Sequence, residues 1–166
     1  KIAQEGPIVD PALAPLVQQG KVRVLETSRG VTIEIADSAL FSVGQAVLGP
    51  ESSQALRTVA AVIATADFPV TIEGHTDNVP IKTAQFPSNW ELSAVRATTV
   101  LRLFAESGVP ADRLTAIGYG DTRPVEANDS IEGRARNRRV SIQIDSALPE
   151  KPTEVPVEVT PHAGRP

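Results

Sequence analysis

Apolar residues recur at two distinct periods along the chain, and the switches between them mark out its elements. The segment KVRVLET sets Val22 and Val24 on one face, SRG makes a turn, and VTIEIA sets Val31, Ile33 and Ile35 on one face, predicting a hairpin with a buried side. Further on, Leu56, Val59, Ala60 and Ile63 follow the i, i+3, i+4, i+7 spacing of a core-facing helix that starts at Gly49-Pro50 and stops before Pro69. VTIEG from Val70 is a strand. A second long helix opens at Ser88, where Glu91 completes a Ser-x-x-Glu capping box, and closes at Gly108. LTAIGYG and RVSIQID supply two more strands, the latter alternating Val140, Ile142 and Ile144. Asp10 to Gln19 reads as a short helix closed by Gly20, Asp37 to Leu48 as irregular, and GRARN as a helical turn. The order predicts an α+β fold: a two-layer sandwich in which a mixed β-sheet carries both long helices on one face.

One residue breaks the second helix's pattern. With Leu92 at 0° and about 100° per residue, the apolar stripe of Leu92, Val95, Ala97, Val100, Leu103 and Phe104 centres near 60°, and Arg96 falls at about 40°, inside it. A guanidinium among core residues requires a carboxylate or another rich acceptor. Near the start of its helix, Arg96 can look toward the long loop after the VTIEG strand, which begins His75-Thr76-Asp77. Two readings are open. Arg96 and Asp77 form a buried ion pair that ties loop to helix, or they form a clamp in which Asp77 holds an ammonium and Arg96 a carboxylate of one zwitterionic ligand. The helix N-terminus at Ser88 to Glu91 adds N–H donors for the anionic end.

Composition narrows the function classes. With no cysteine in 166 residues there is no disulfide, thiolate nucleophile or cysteine metal site. A net charge of -4 has the wrong sign for a domain built around the phosphate backbone, so nucleic acid is not an expected partner. No apolar run approaches the ~20 residues of a membrane span, so the chain reads as soluble. It starts at Lys1 and contains no methionine, the expectation being a fragment with a targeting or anchoring segment upstream. Residues 146–166 hold five of the fourteen prolines and read as a disordered tail.

The remaining motifs carry less chemistry. His75 has only His162, in the tail, as a companion, so no metal centre is expected; it reads as a hydrogen-bonded loop residue, and no nucleophile elbow supports a Ser-His-Asp site. Within the basic cluster of Arg134, Arg136, Arg138 and Arg139, Arg136 and Arg139 read as solvated or ion-paired surface groups. Gly118 and Gly120 read as turn glycines, with no dinucleotide context. Trp90 is expected to pack on the loop.

GHTD at a strand end, SNWELSAVRA opening a helix, GYG after the next strand and EGRARNRRV before the last together resemble the OmpA-like peptidoglycan-binding domains, over roughly Ala39 to Ile144. The loop NVPIKTAQFP and the helix start SNWELS are most similar to the periplasmic domain of flagellar motor stator subunits of the MotB and MotD type. The resemblance implies a non-catalytic, cofactor-free domain with a βαβαβ core. It would bind peptidoglycan through the diaminopimelate of the stem peptide, held by Asp77 and Arg96, with Thr76, Asn89 and Leu92 lining the groove and Asn137 and Arg138 beside it. It further implies a periplasmic homodimer that anchors a motility stator to the cell wall beside a membrane-embedded partner subunit. The implied organisation is an N-terminal helix and strand extension over residues 1–36, the binding domain over 37–145 and the tail over 146–166. Alternatives are a wall-tethering domain of an outer-membrane porin or lipoprotein, or a cell-wall hydrolase.

Overall fold

Three buried rows run across the centre of the sheet. A computed structural model describes residues 14–146 and 154–157. Its strands are β1 (Val22–Thr27), β2 (Gly30–Ala36), β3 (Val70–His75), β4 (Leu114–Gly118) and β5 (Arg139–Asp145), in the spatial order β1-β2-β5-β3-β4. β3 and β4 are parallel and every other pair is antiparallel. Register aligns Ile33, Ile142 and Ile72 in one row and Val31, Ile144 and Val70 in the next. All six are almost fully buried, as period-two alternation under a covering layer demands. The third row, Ile35 and Val140, ends at Gly74.

That covering layer is α2 (Pro50–Ala64) and α3 (Asn89–Glu106), whose Leu56, Val59, Ala60, Ile63, Ala97, Val100, Leu103 and Phe104 join the same core. Glycine lets α3 sit close to the sheet. A Cβ on Gly74 would lie 2.1 Å from the Ser93 carbonyl oxygen, and one on Gly118 would lie 2.6 Å from the Ala94 nitrogen. Gly118 is therefore a packing glycine, where a turn was expected; Gly120, at φ +59°, does make the turn.

Two shorter helices, α1 (Ala14–Gln18) and α4 (Ile131–Asn137), and two 3-10 turns, Asp37–Ala39 and Ala111–Arg113, complete the described elements. The expected start of the first helix at Asp10 and most of the Pro-rich tail lie outside the described residues; 154–157 are exposed and irregular. Residues 22–36 form one sheet with the rest, since β2 pairs with β5 along its length. Val24, expected to be buried with Val22, is 40% exposed because β1 is the sheet edge, where the helices no longer cover it. Arg139, expected at the surface, is 7% exposed, because it points from the central strand β5 between Glu34 and the neighbouring strands.

Candidate functional site

Three adjacent strands deliver charge to one end of the sheet. The β2–β5 register pairs Ala36 with Arg139, and the β3–β5 register pairs His75 with Arg139. One step past those pairs, Asp37 follows β2 and Arg138 precedes β5, joined by an Asp37 N–H to Arg138 carbonyl hydrogen bond of 3.0 Å. Two residues past β3 comes Asp77. Its Oδ1 accepts from the Val79 N–H at 3.0 Å, an Asx turn that holds the carboxylate in place.

Arg96 reaches this end from α3, about two turns in. Its guanidinium is 4% exposed, yet every nitrogen has an acceptor: Nη1 donates to Asp37 Oδ2 at 2.9 Å, Nε to the Gln45 carbonyl at 2.8 Å and Nη2 to the Ser42 carbonyl at 3.3 Å. The Phe41 ring lies 4.9 Å from its guanidinium carbon. Asp77 is the partner of Arg138, whose Nη1 donates to Oδ2 at 2.6 Å. Arg138 Nε is also 3.8 Å from Asp37 Oδ1. The charges therefore alternate Arg96, Asp37, Arg138, Asp77, and Asp77 and Arg96 are linked only through the other two. Of the two readings left open, the direct Asp77–Arg96 ion pair does not form. Arg96 leans toward the segment 37–45 that passes beside its helix, and Arg138 satisfies Asp77 from the neighbouring strand.

All four line one groove of about 790 Å³, with Thr76, Asn89 and Leu92 also on its walls. Thr76 is buried and its hydroxyl donates to the Asp77 carbonyl at 2.8 Å. Asn89, the first residue of α3, donates to the Val79 carbonyl at 3.0 Å and so ties the loop to the helix start. Leu92 is buried in a small cluster with Ala46 and Phe86, which forms an apolar wall. Ser88 is the N-cap as expected, but in place of the reciprocal capping box its Oγ accepts from the Trp90 N–H at 3.1 Å and donates to the Glu91 carboxylate, and that bond holds the Glu91 carboxyl below its usual pKa. Trp90 is 55% exposed, its ring covering Gly120.

Asn137 does not line the groove. Its Oδ1 accepts from the Val125 and Glu126 N–H groups at 2.8 and 3.0 Å, and its Nδ2 donates to the Glu126 carbonyl and Asn128 Oδ1, both at 2.8 Å. With its polar capacity used on the loop before α4, it positions Arg138 and has no group left for a ligand. His75 also points away, its Nε2 3.0 Å from Glu73 Oε1 and its ring stacked on Tyr119. Among the described residues no group of three His, Asp or Glu could hold a metal, and no helix is long and apolar enough to cross a membrane.

Asp37 and Phe41 are the site residues that sequence reasoning missed, since both lie in a stretch that reads as irregular. A signal was present. VTIEIAD and VTIEGHTD are parallel strings in which an aspartate follows a buried strand, and both aspartates reach the same groove.

The family model for the OmpA family matches residues 40–138, from the turn beside the groove through Arg138. The chain belongs to the OmpA family. This OmpA-family chain is 38% identical over 120 residues to motility protein B of Bacillus subtilis, which covers 71% of it and 46% of that relative. The chain spans about half the length of such sequence relatives. Among solved structures it resembles the cell wall anchor of the T6SS from Pseudomonas aeruginosa, with TM-score 0.75 and 37% identity over 82% of this chain and 95% of that one. A MotB-like protein from Desulfovibrio vulgaris matches with TM-score 0.73 and 32% identity, over 81% and 87% of the two chains.

Proposed function

We propose that this OmpA-family domain binds peptidoglycan without turning it over, holding the diaminopimelate of a stem peptide in the Asp77–Arg96 groove, and that it serves in the periplasm as the wall anchor of a flagellar motor stator. The observation that carries this reading is the alternation of Arg96, Asp37, Arg138 and Asp77 along one groove. A ligand centre bearing an ammonium and a carboxylate matches its Asp77–Arg138 pair one charge to one charge, while Arg96 and Asp37 satisfy each other. Roles follow from exposure. Arg138, 37% exposed, is the guanidinium a ligand carboxylate meets, and Arg96, 4% exposed, holds Asp37 and the groove wall in place. The incoming ammonium takes over Asp77 as Arg138 releases it. Thr76, Asn89 and Leu92 shape the wall.

The stator role draws on the motility-protein relatives, and with it come a homodimer, a membrane-embedded partner subunit and an inner-membrane anchor outside this chain. A second reading, an anchor for a different envelope machine, draws on the Pseudomonas cell wall anchor, which exceeds the Desulfovibrio protein in both identity and TM-score. One stem peptide offers few contacts, so firm attachment depends on two domains facing a repetitive wall.

The test is an NMR titration with diaminopimelate and a short muropeptide, for the parent, Asp77→Asn and Arg96→Lys. Shifts should cluster on Thr76, Asp77, Asn89 and Arg138, and Asp77→Asn should weaken binding about ten-fold or more while the fold is kept. An unchanged parent spectrum would sink the proposal, and loss of muropeptide mass during the titration would replace it with hydrolysis.

A further inference from the structure

A second cleft, of about 360 Å³, adjoins the groove on the other side of the Asp37 turn, between the start of β1 and α4. Five cationic side chains line it: Lys21, Arg23, Arg136, Arg138 and Arg139. Against them stand three carboxylates, Glu34, Asp37 and Glu132, so the lining carries two more positive charges than negative in a chain whose net charge is -4.

Arg138 is held from the groove side by Asp77 at 2.6 Å, but among the described residues none of the other four has a carboxylate within hydrogen-bonding distance. Arg139 is 7% exposed, and its Nε has no hydrogen-bond partner, Glu34 Oε2 standing 3.9 Å away. Burial lowers its pKa below the usual arginine value, against the pull of Glu34 and Glu73. Arg136 is 3.8 Å from Glu126, and Lys21 and Arg23 make no ion pair among the described residues. Lys21, Arg136 and Arg138 are half-buried and Arg23 is exposed, so an anion entering here meets accessible donors beside one, Arg139, whose desolvation was incurred in folding. Asp37 and Arg138 line both the cleft and the groove, so the two spaces meet at those side chains.

We infer that the cleft between the start of β1 and α4 is an anion subsite continuous with the groove, which receives a free carboxylate on the peptide residue next to the one the groove holds. This rests on the peptide-binding reading above and deepens it, since the domain would distinguish wall peptides with that carboxylate free from those with it amidated.

The experiment titrates the whole chain, by NMR, with three probes: diaminopimelate alone, a diaminopimelate tripeptide whose neighbouring residue has a free carboxylate, and the same tripeptide amidated there. The free form should bind roughly three- to ten-fold more tightly than the amide. It alone should shift Lys21, Arg23, Ala135 and Arg136. The variant Arg23→Gln/Arg136→Gln should erase that difference and bind diaminopimelate as the parent does. Equal binding of the two tripeptides overturns the subsite. So do absent shifts in the cleft, a variant that loses diaminopimelate equally, or acetate at matched ionic strength reproducing the shifts. If diaminopimelate leaves Thr76 and Asp77 unmoved, the groove reading falls by itself, and the cleft is judged by its own resonances.

Discussion

Arg96 and Arg139 are buried to nearly the same degree, 4% and 7% exposed, and they sit at the same end of the sheet. Arg96 has a carboxylate at 2.9 Å and two carbonyls, which leave none of its nitrogens unpartnered. Arg139 has two carbonyls, those of Asn137 and Arg123 at 3.1 and 3.0 Å, but its carboxylate stands off at 3.9 Å and its Nε is bare. Burial alone therefore does not say what a charged residue is for. A fully partnered guanidinium builds a wall, and an under-partnered one carries a charge that its own neighbours meet only in part.

The largest effect that would break this comparison is a change in rank of two truncations. Arg96→Leu leaves Asp37 with only the 3.8 Å contact to Arg138 and removes the donors to Gln45 and Ser42. It should cost roughly 3–5 kcal/mol in urea unfolding, the range for stranding one member of a buried pair. Arg139→Leu strands two carbonyls and no closely paired carboxylate, so its cost should be about half of that. If Arg139→Leu proves as damaging as Arg96→Leu, the distance to the carboxylate is not what separates them.

Double-mutant cycles sharpen the same point with smaller numbers. The Asp37–Arg96 pair should show a coupling energy of about 2 kcal/mol, and the Glu34–Arg139 pair less than about 1 kcal/mol. Equal couplings would mean that Glu34 closes on Arg139 in solution, which would also weaken the case for an anion in the adjoining cleft.

Much of this arrangement was legible in the chain and some was not, for identifiable reasons. The alternation of Val31, Ile33 and Ile35 and the stripe from Leu92 to Phe104 place strand and helix directly, because period is a local property. Arg96 was conspicuous because it violated a period. Its partner was not: Asp37 lies outside any periodic segment, and only the pairing of β2 with β5, across more than a hundred residues, brings it beside Arg138. The pairing of Asp77 with Arg138 at 2.6 Å was hidden for the same reason. Arg139 shows the converse. Its strand was evident, but its burial depends on β5 being the central strand, and strand order is not written in periodicity. Asn137 was placed beside the groove by resemblance, while its four hydrogen bonds to the loop before α4 depend on a turn that no pattern announces.

The smallest effect concerns how the helix that carries Arg96 begins, where the groups are exposed and no charge is buried. Ser88 Oγ accepts the Trp90 N–H and donates to Glu91, and this hydrogen bond is the main reason the Glu91 pKa is lowered. Ser88→Ala should cost about 1 kcal/mol at neutral pH. Because the folded-state pKa is depressed, the contribution of Glu91 is present above the ordinary carboxylate pKa and is lost as pH falls through the folded value. The gap between parent and Ser88→Ala should therefore narrow below about pH 4, without closing, since the Trp90 N–H bond survives protonation of Glu91. A gap that stays constant from pH 7 to pH 3 would show that the carboxylate adds nothing to the cap, and that the Trp90 N–H bond alone carries the effect of Ser88 on the start of α3.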